Sequence, residues 1–211
     1  MLSYQEAYDK KVRFVRAELY VFRPLKLSRG FCDSTTISLH DQVPVDAWLR
    51  LYNQNGTMGE CPCSGRMEYF LKQIITEENK SYREWYRLLH WEARNCGFSG
   101  ETAVELGRLD LAFHDMLAKE EGLPLHRFLG AERDWAAVYA SGMGTNLTIP
   151  EMEKQVQEFI DDGYTTFKMK AATDFGSRLE WDLERIGIVR SMIGEHARLA
   201  VDVNQLWKAE E

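Results

Sequence analysis

The sequence predicts two architectures in succession, an α+β region over residues 1–134 and an α/β region with a parallel sheet over residues 135–211. Three observations predict them. The first half places strand patterns ahead of a run of amphipathic helices, the order of an α+β domain. From Trp135 the pattern becomes strand, helix, strand, helix, strand, which implies a parallel sheet with crossover helices. Within it, the stretch from Gly163 to Trp207, GYTTFKMK, a helical segment, then LAVDVNQLW, is one complete βαβ unit.

Taken in order, residues 11–22 read as a strand, with Val15, Ala17, Leu19 and Val21 alternating against Arg16, Glu18 and Tyr20. Pro24 to Thr36, PLKLSRGFCDSTT, combines Pro, Gly and small polar residues and reads as a loop. Residues 48–52 are extended, Asn53-Gln54-Asn55-Gly56 supplies turn chemistry, and a short segment over 57–61 follows, so this part is an antiparallel sheet. Helices are predicted at 65–78, with Met67, Phe70, Leu71, Ile74 and Ile75 on one face, and at 81–94, with Trp85, Leu88 and Leu89. A third runs over 101–121, with Val104, Leu109, Ala112, Phe113, Met116 and Leu117 inward, and Gly122 ends it ahead of Pro124. His114, beside that apolar face, reads as a helix histidine with a local hydrogen-bond partner. After LPLHRFLG, residues 135–140 read as a short buried strand ending in Ser141-Gly142-Met143-Gly144. Thr148-Ile149-Pro150-Glu151 is a capping box, and the stripe Met152, Val156, Phe159 and Ile160 behind it is terminated by Gly163. The crossover helix of the βαβ unit carries Leu179, Leu183, Ile186, Val189 and Ile193 at steps of three and four.

The two strands of that unit concentrate the chemistry. Alternation puts Thr166, Lys168 and Lys170 on one face and Phe167 and Met169 on the other; the same rule groups Ala200, Asp202 and Asn204 against Leu199, Val201 and Val203. Parallel strands joined by a crossover helix end on the same side of the sheet, so Lys170 and Asp202 lie near one another. A lone KxK protects an edge strand, and an Asp there begins a polar turn. A buried parallel strand, however, prefers an unbroken apolar run, and Asp and Asn at its end cost stability unless they bind something.

Composition narrows the class. The 211 residues are 45% hydrophobic and 28% charged, an ordinary soluble composition with enough chain for a sizeable core. A formal net charge of −7 without a concentrated Lys/Arg run argues against a nucleic-acid surface and leaves small acids or metal-bound substrates. MLSYQEAYDKKVRF has no signal-peptide core and no segment has the apolar length of a membrane helix, so a cytoplasmic location away from membranes is expected. Cys32, Cys61, Cys63 and Cys96 are expected as free thiols: C-P-C is not a zinc-knuckle spacing, and His40, His90, His114, His126 and His196 add no ligand spacing around it.

Several stretches together resemble the enolase superfamily, in the branch that includes mandelate racemase, muconate lactonising enzymes and acid-sugar dehydratases. They are the turn Thr57-Met58-Gly59-Glu60, the helix ELGRLDLAFHDMLAKEEGLPLHRFLG, the strand VYASG, the KMK of Lys168 to Lys170 and the DVNQLW after Val201. The resemblance implies an α+β capping domain (1–134) followed by a modified (β/α)8 barrel of TIM type, of which residues 135–211 supply about three strands. It implies that Lys170 takes or gives the proton α to a carboxylate, with Lys168 as its companion, Asp202 as the first magnesium ligand, and Asn204 orienting a substrate or metal-bound oxygen. A neighbouring ammonium and a nearby cation would disfavour the protonated form of Lys170, and a divalent metal would stabilise an enediolate as charge develops. Residues 25–36 correspond to the mobile capping loop, with Gly30 allowing it to bend and Arg29 and Phe31 as substrate contacts. The partners expected are a small carboxylate substrate, Mg2+ and, for the full-length protein, further copies of itself in a homo-oligomer.

Dehydration of a sugar acid is the favoured reaction, making the full-length enzyme a lyase; racemisation, epimerisation and cycloisomerisation, which would make it an isomerase, begin with the same proton abstraction and stay open. A barrel of this kind takes about 250 residues, whereas the chain stops at Glu211, so it reads as the N-terminal portion of a longer enzyme. If Glu211 is the true terminus, an exposed strand edge and no turnover are expected, and a non-catalytic binding or scaffold protein is the competing reading.

Overall fold

The computed structural model describes residues 4–23, 26–34, 40–42 and 47–208, with backbone alone at 4–5, 26–30 and 40–42. In chain order the elements are α1 (Tyr4–Asp9), β1 (Lys11–Val12), β2 (Phe14–Val21), β3 (Lys26–Phe31), β4 (His40–Gln42), β5 (Ala47–Asn53), β6 (Met58–Cys63), α2 (Met67–Ile74), β7 (Lys80–Ser81), α3 (Tyr82–Ala93), α4 (Gly100–Glu120), α5 (Leu125–Phe128), β8 (Ala140–Gly142), α6 (Ile149–Asp161), β9 (Thr166–Lys170), α7 (Leu179–Ile193) and β10 (Arg198–Asp202). They divide into two units, one of Met1–Leu25 with Val43–Asp134 and one of Lys26–Gln42 with Trp135–Glu211. Residues 26–42, which lie inside the first region in chain order, thus group with the second.

In the first unit an antiparallel sheet of order β2-β5-β6 turns one face to α2, α3 and α4. β5 alternates strictly, with Ala47, Leu49, Leu51 and Asn53 buried. The strand expected over 11–22 is broken at Arg13, and the register shifts between Phe14 and Arg16. A bulge of this kind turns one residue out of sequence, so Phe14 joins Ala17 and Leu19 on the core while Val15 is exposed. β6 sends Gly59, Cys61 and Cys63 inward, and burial pushes the Cys61 thiol up to about 12, which makes it inert. None of the four cysteines, all of them among the described residues, forms a disulfide. Gly59 lies hard against α4: a Cβ there would sit 2.0 Å from the carbonyl oxygen of Ala112. Along α4 the expected Leu109, Ala112, Phe113, Met116 and Leu117 are buried, but Val104 is exposed and Glu105 is turned inward. Glu105 offsets its burial by pairing with Arg108 at 2.5 Å and accepting the Ser64 N–H at 3.2 Å. α3 begins at a capping box, with Ser81 Oγ accepting the Glu84 N–H at 3.3 Å and the Glu84 carboxylate taking the Ser81 N–H at 2.8 Å.

His114 has the structural role its position suggests. Its Nδ1 lies 2.9 Å from the Asp110 carbonyl and 3.3 Å from the Asp110 carboxylate, and Nε2 lies 2.5 Å from the Tyr8 hydroxyl. Burial lowers its pKa, but the Asp110 contacts outweigh that and the net direction is upward from 6.5. A raised folded-state pKa contributes stability that is full below the unfolded value and is lost as pH rises through the folded one. The melting temperature is therefore expected to fall as pH increases across and above about 6.5, and a His114→Phe variant is expected to lose that part of the slope. An unchanged slope in the variant would show that His114 does not titrate in this way.

In the second unit β8, β9 and β10 form a parallel sheet in that spatial order, with α6 and α7 packed on one face through Met152, Val156, Val189, Phe167 and Met169. The capping box opens α6, Thr148 donating its N–H to Glu151 at 2.9 Å. Four expectations are corrected here. The buried strand expected at 135–140 is only Ala140–Gly142; Trp135, Val138 and Tyr139 are exposed, because among the described residues no strand lies beyond β8 to give them a ladder. The loop expected over 24–36 contains β3, which pairs antiparallel with β4: a backbone partner across the hairpin overrides local turn propensity. On α7 Leu183 is half exposed, and the polar pair Asp182 and Arg185 is fully buried in the inward stripe. On β10 Val201 is exposed, since β9 is its only partner strand among the described residues. No helix of the described residues is long and apolar enough to cross a membrane.

Candidate active site

The pleat and register of β9 and β10 build the site. Lys168 is paired with Ala200 and Lys170 with Asp202, so both lysines and the aspartate stand on the face opposite the apolar core. Lys170 Nζ donates to Asp202 Oδ2 at 2.8 Å and to Asn204 Oδ1 at 3.0 Å. Lys168 Nζ reaches the same Oδ2 at 3.2 Å, and Asp202 Oδ1 accepts the Asn204 N–H at 3.2 Å. Two ammoniums thus converge on one carboxylate oxygen. The Lys170 hydrogen bond is the chief reason that Asp202 is held down at about 2, and the Asp202 contact holds Lys168 above the ordinary lysine value.

The structure therefore brings together Lys168, Lys170, Asp202 and Asn204, as their spacing predicts. Of the two loop residues, the Arg29 side chain lies outside the described residues. Phe31 is exposed beside the turn after β8, its ring 3.3 Å from where a Gly144 Cβ would stand. The chain around Phe31 is fastened to the strand ends: Thr145 N–H donates to Cys32 O at 3.0 Å, Cys32 N–H to Asn146 Oδ1 at 3.2 Å, Thr145 Oγ to Asp33 O at 3.1 Å, and Ser34 Oγ to Ala171 O.

Pattern reading misses several residues. Tyr139 sets its ring 5.3 Å from Lys168 Nζ, and Asp182 and Arg185 reach the strand ends from α7. The available signal for the last two is an opposite-charge pair at i, i+3 lying in an apolar stripe. Backbone conformation marks the same place. Among the described residues every non-glycine with positive φ, namely Met143, Ala172, Asp174, Phe175, Asn204 and Gln205, follows the end of β8, β9 or β10. Such conformations cost about 1–3 kcal/mol each and persist where surrounding structure enforces them.

Known proteins resemble this chain in sequence and in fold. Residues 151–211 match the family described as enolase C-terminal domain-like. An L-talarate/galactarate dehydratase of Salmonella typhimurium is 30% identical over 138 residues, 65% of this chain and 34% of that protein. Its crystal structure with Mg and L-lyxarohydroxamate superposes with a TM-score of 0.75 at 24% identity, covering 96% of this chain and 54% of that one. The sequence and structural relatives of this chain are members of the enolase superfamily. A second superfamily relative, a D-Ala-D/L-Ala epimerase of Cytophaga hutchinsonii, is 29% identical over 210 residues, 92% of this chain and 53% of that protein. A mandelate racemase/muconate lactonizing enzyme-like protein from Rubrobacter xylanophilus gives a TM-score of 0.73 at 23% identity, over 94% of this chain and 55% of that one. The structural neighbours have TIM barrels, and β8, β9 and β10 form a three-stranded parallel part of such a sheet. The chain spans 34% and 53% of the length of the two curated relatives described.

Proposed function

We propose that the protein carrying this chain removes the proton α to the carboxylate of a small acid, and that sugar-acid dehydration is its reaction. The observation that carries the reading is the convergence of Lys170 and Lys168 on Asp202, with Asn204 at 3.0 Å from Lys170, at the C-terminal ends of parallel strands. In this reading residues 1–134 are the capping domain, residues 135–211 open the modified (β/α)8 barrel, and the full-length protein is a homo-oligomer.

Lys170 Nζ in its neutral form takes the α-proton, and the C–H electron pair moves into the carboxylate to give an enediolate. Lys168 keeps a positive charge beside that centre. Its contact with Asp202 favours the charged form, and preorganised charge of this kind lowers the barrel site's barrier without reorganisation. When a hydroxyl stands on the β-carbon, the pair returns to expel it, a proton joins the leaving oxygen to make water, and the resulting enol ketonises to a 2-keto acid. Asn204 and the side chains at 29 and 31 contact the rest of the substrate.

Magnesium fits the donor set as far as this chain supplies it. Asp202 is an ionised carboxylate and Asn204 an amide oxygen, hard donors of the type magnesium takes. Among the described residues no group of three His, Cys, Asp or Glu is placed to hold a metal, so Asp202 would be one ligand of a larger set. The bound ion supplies positive charge beside the substrate carboxylate.

The test is incubation of the full-length natural gene product with aldonic and aldaric acids and with dipeptides in D2O, with magnesium or with chelator. Release of water to a 2-keto acid from a sugar acid, only with magnesium, is expected. The 92% coverage of this chain by the Cytophaga hutchinsonii epimerase favours one second reading, in which a dipeptide exchanges its α-proton with inversion and loses no water. No α-exchange from any of these acids would sink both.

A further inference from the structure

Asp182 and Arg185 lie on the inward side of α7 and are completely buried. Arg185 Nη1 donates to the carbonyl of Lys170 at 3.0 Å, and Nη2 to the carbonyls of Met143 and Gly144, each at 2.9 Å. One guanidinium thus holds the ends of two adjacent strands. Asp182 takes the Thr173 N–H at 2.8 Å and the Thr173 hydroxyl at 2.6 Å. Between them the pair brackets residues 170–173.

The distances say what the pair is for. Its two members approach each other at only 3.5 Å, the outer limit of a hydrogen bond, while the short bonds all go to the strand ends and Thr173. Mutual attraction is therefore the smaller interaction, and a buried ion pair is in any case weak evidence of stabilisation. The bracketed backbone includes Ala172 at φ 60°, and one of the two carbonyls that Nη2 holds is that of Met143 at φ 52°. L-residues leave this region unless held in it. Only a planar guanidinium spreads donors in a fork wide enough to reach both strands; an ammonium is a point.

We infer that Asp182 and Arg185 are positioning residues for Lys170, fixing its backbone through the carbonyl of Lys170 and the turn that follows. The inference rests on the reading of Lys170 as the group that takes the α-proton. Lys170 Nζ meets Asp202 and Asn204 at 2.8 and 3.0 Å, and a shift of its backbone moves the ammonium out of that register.

The experiment compares Arg185→Lys, Thr173→Val and Lys170→Met in the full-length protein, with kcat, KM and melting temperature measured for each on the substrate that the wild type turns over. Arg185→Lys keeps the charge and loses the fork. It is expected to lower kcat by about 10²-fold, the effect of about 1 Å of misplacement, with KM within about threefold. Thr173→Val deletes one hydroxyl and keeps the comparison available where Arg185→Lys does not fold; a kcat lower by about tenfold is expected. Soluble, folded variants with wild-type kcat and lowered melting temperature would overturn the inference, since a purely structural role moves stability and not turnover per folded molecule. If Lys170→Met also retains wild-type kcat, the proton-abstraction reading falls instead; if Lys170→Met is inactive while the other two are not, that reading stands and only the positioning role is lost.

Discussion

Lys170→Met in the full-length protein is expected to lower kcat by about 10²- to 10⁴-fold, the usual contribution of a general base, while leaving the melting temperature nearly unchanged. Methionine keeps most of the length and apolar surface of the lysine stem. The carboxylate that Lys170 contacts is not abandoned, because Asp202 retains Lys168 at 3.2 Å and the Asn204 N–H at 3.2 Å. Stability is thus spared, and a loss of turnover reports the missing nitrogen. Retention of activity within about threefold would move the proton-abstracting role off β9 and leave the two lysines as charges that hold Asp202.

Gly59→Ala is expected to lower the melting temperature by about 6–12 °C, from about 3 kcal/mol of overpacking at about 2–4 °C per kcal/mol for a chain of this size. The obstacle is a backbone atom: the new Cβ would lie 2.0 Å from the Ala112 carbonyl oxygen and 2.9 Å from the Met116 Cβ. No rotamer change relieves the first contact, so α4 must move off β6. Gly107, in the same helix, is the control, because a Cβ there meets nothing within 4 Å. Gly107→Ala is expected to stabilise by about 0.5–1 kcal/mol through helix propensity. A melting temperature unchanged or raised in Gly59→Ala would show that β6 and α4 are not locked at that point.

Much of this was legible from side-chain alternation. β9 and β10 can be read because Phe167 and Met169 are buried on one face while Lys168 and Lys170 stand on the other, a period that needs no knowledge of neighbours. Direction then follows from the crossover helix, which sets Lys170 beside Asp202. The residues that escape are those whose state depends on distant chain. β3 looks like a loop because Ser28 and Gly30 favour turns locally, and only its pairing with residues 40–42 makes it a strand. Asp182 and Arg185 look solvent-facing because an i, i+3 charge pair on a helix ordinarily is; their burial is balanced by carbonyls and a threonine that belong to other elements. Trp135 and Val138 have the composition of a buried strand, but burial requires neighbours that the described residues do not place there.

The fastening of residues 32–34 separates where that segment sits from what it presents. In its bonds to Thr145 and Asn146 the segment contributes main-chain atoms, the N–H and carbonyl of Cys32 and the carbonyl of Asp33. Any amino acid supplies those atoms, proline's missing N–H excepted. None of these three bonds uses a side chain at position 29 or 31. In the proposed reading, where positions 29 and 31 contact the substrate, new substrates are reached by exchanging side chains on a mount that these main-chain bonds hold.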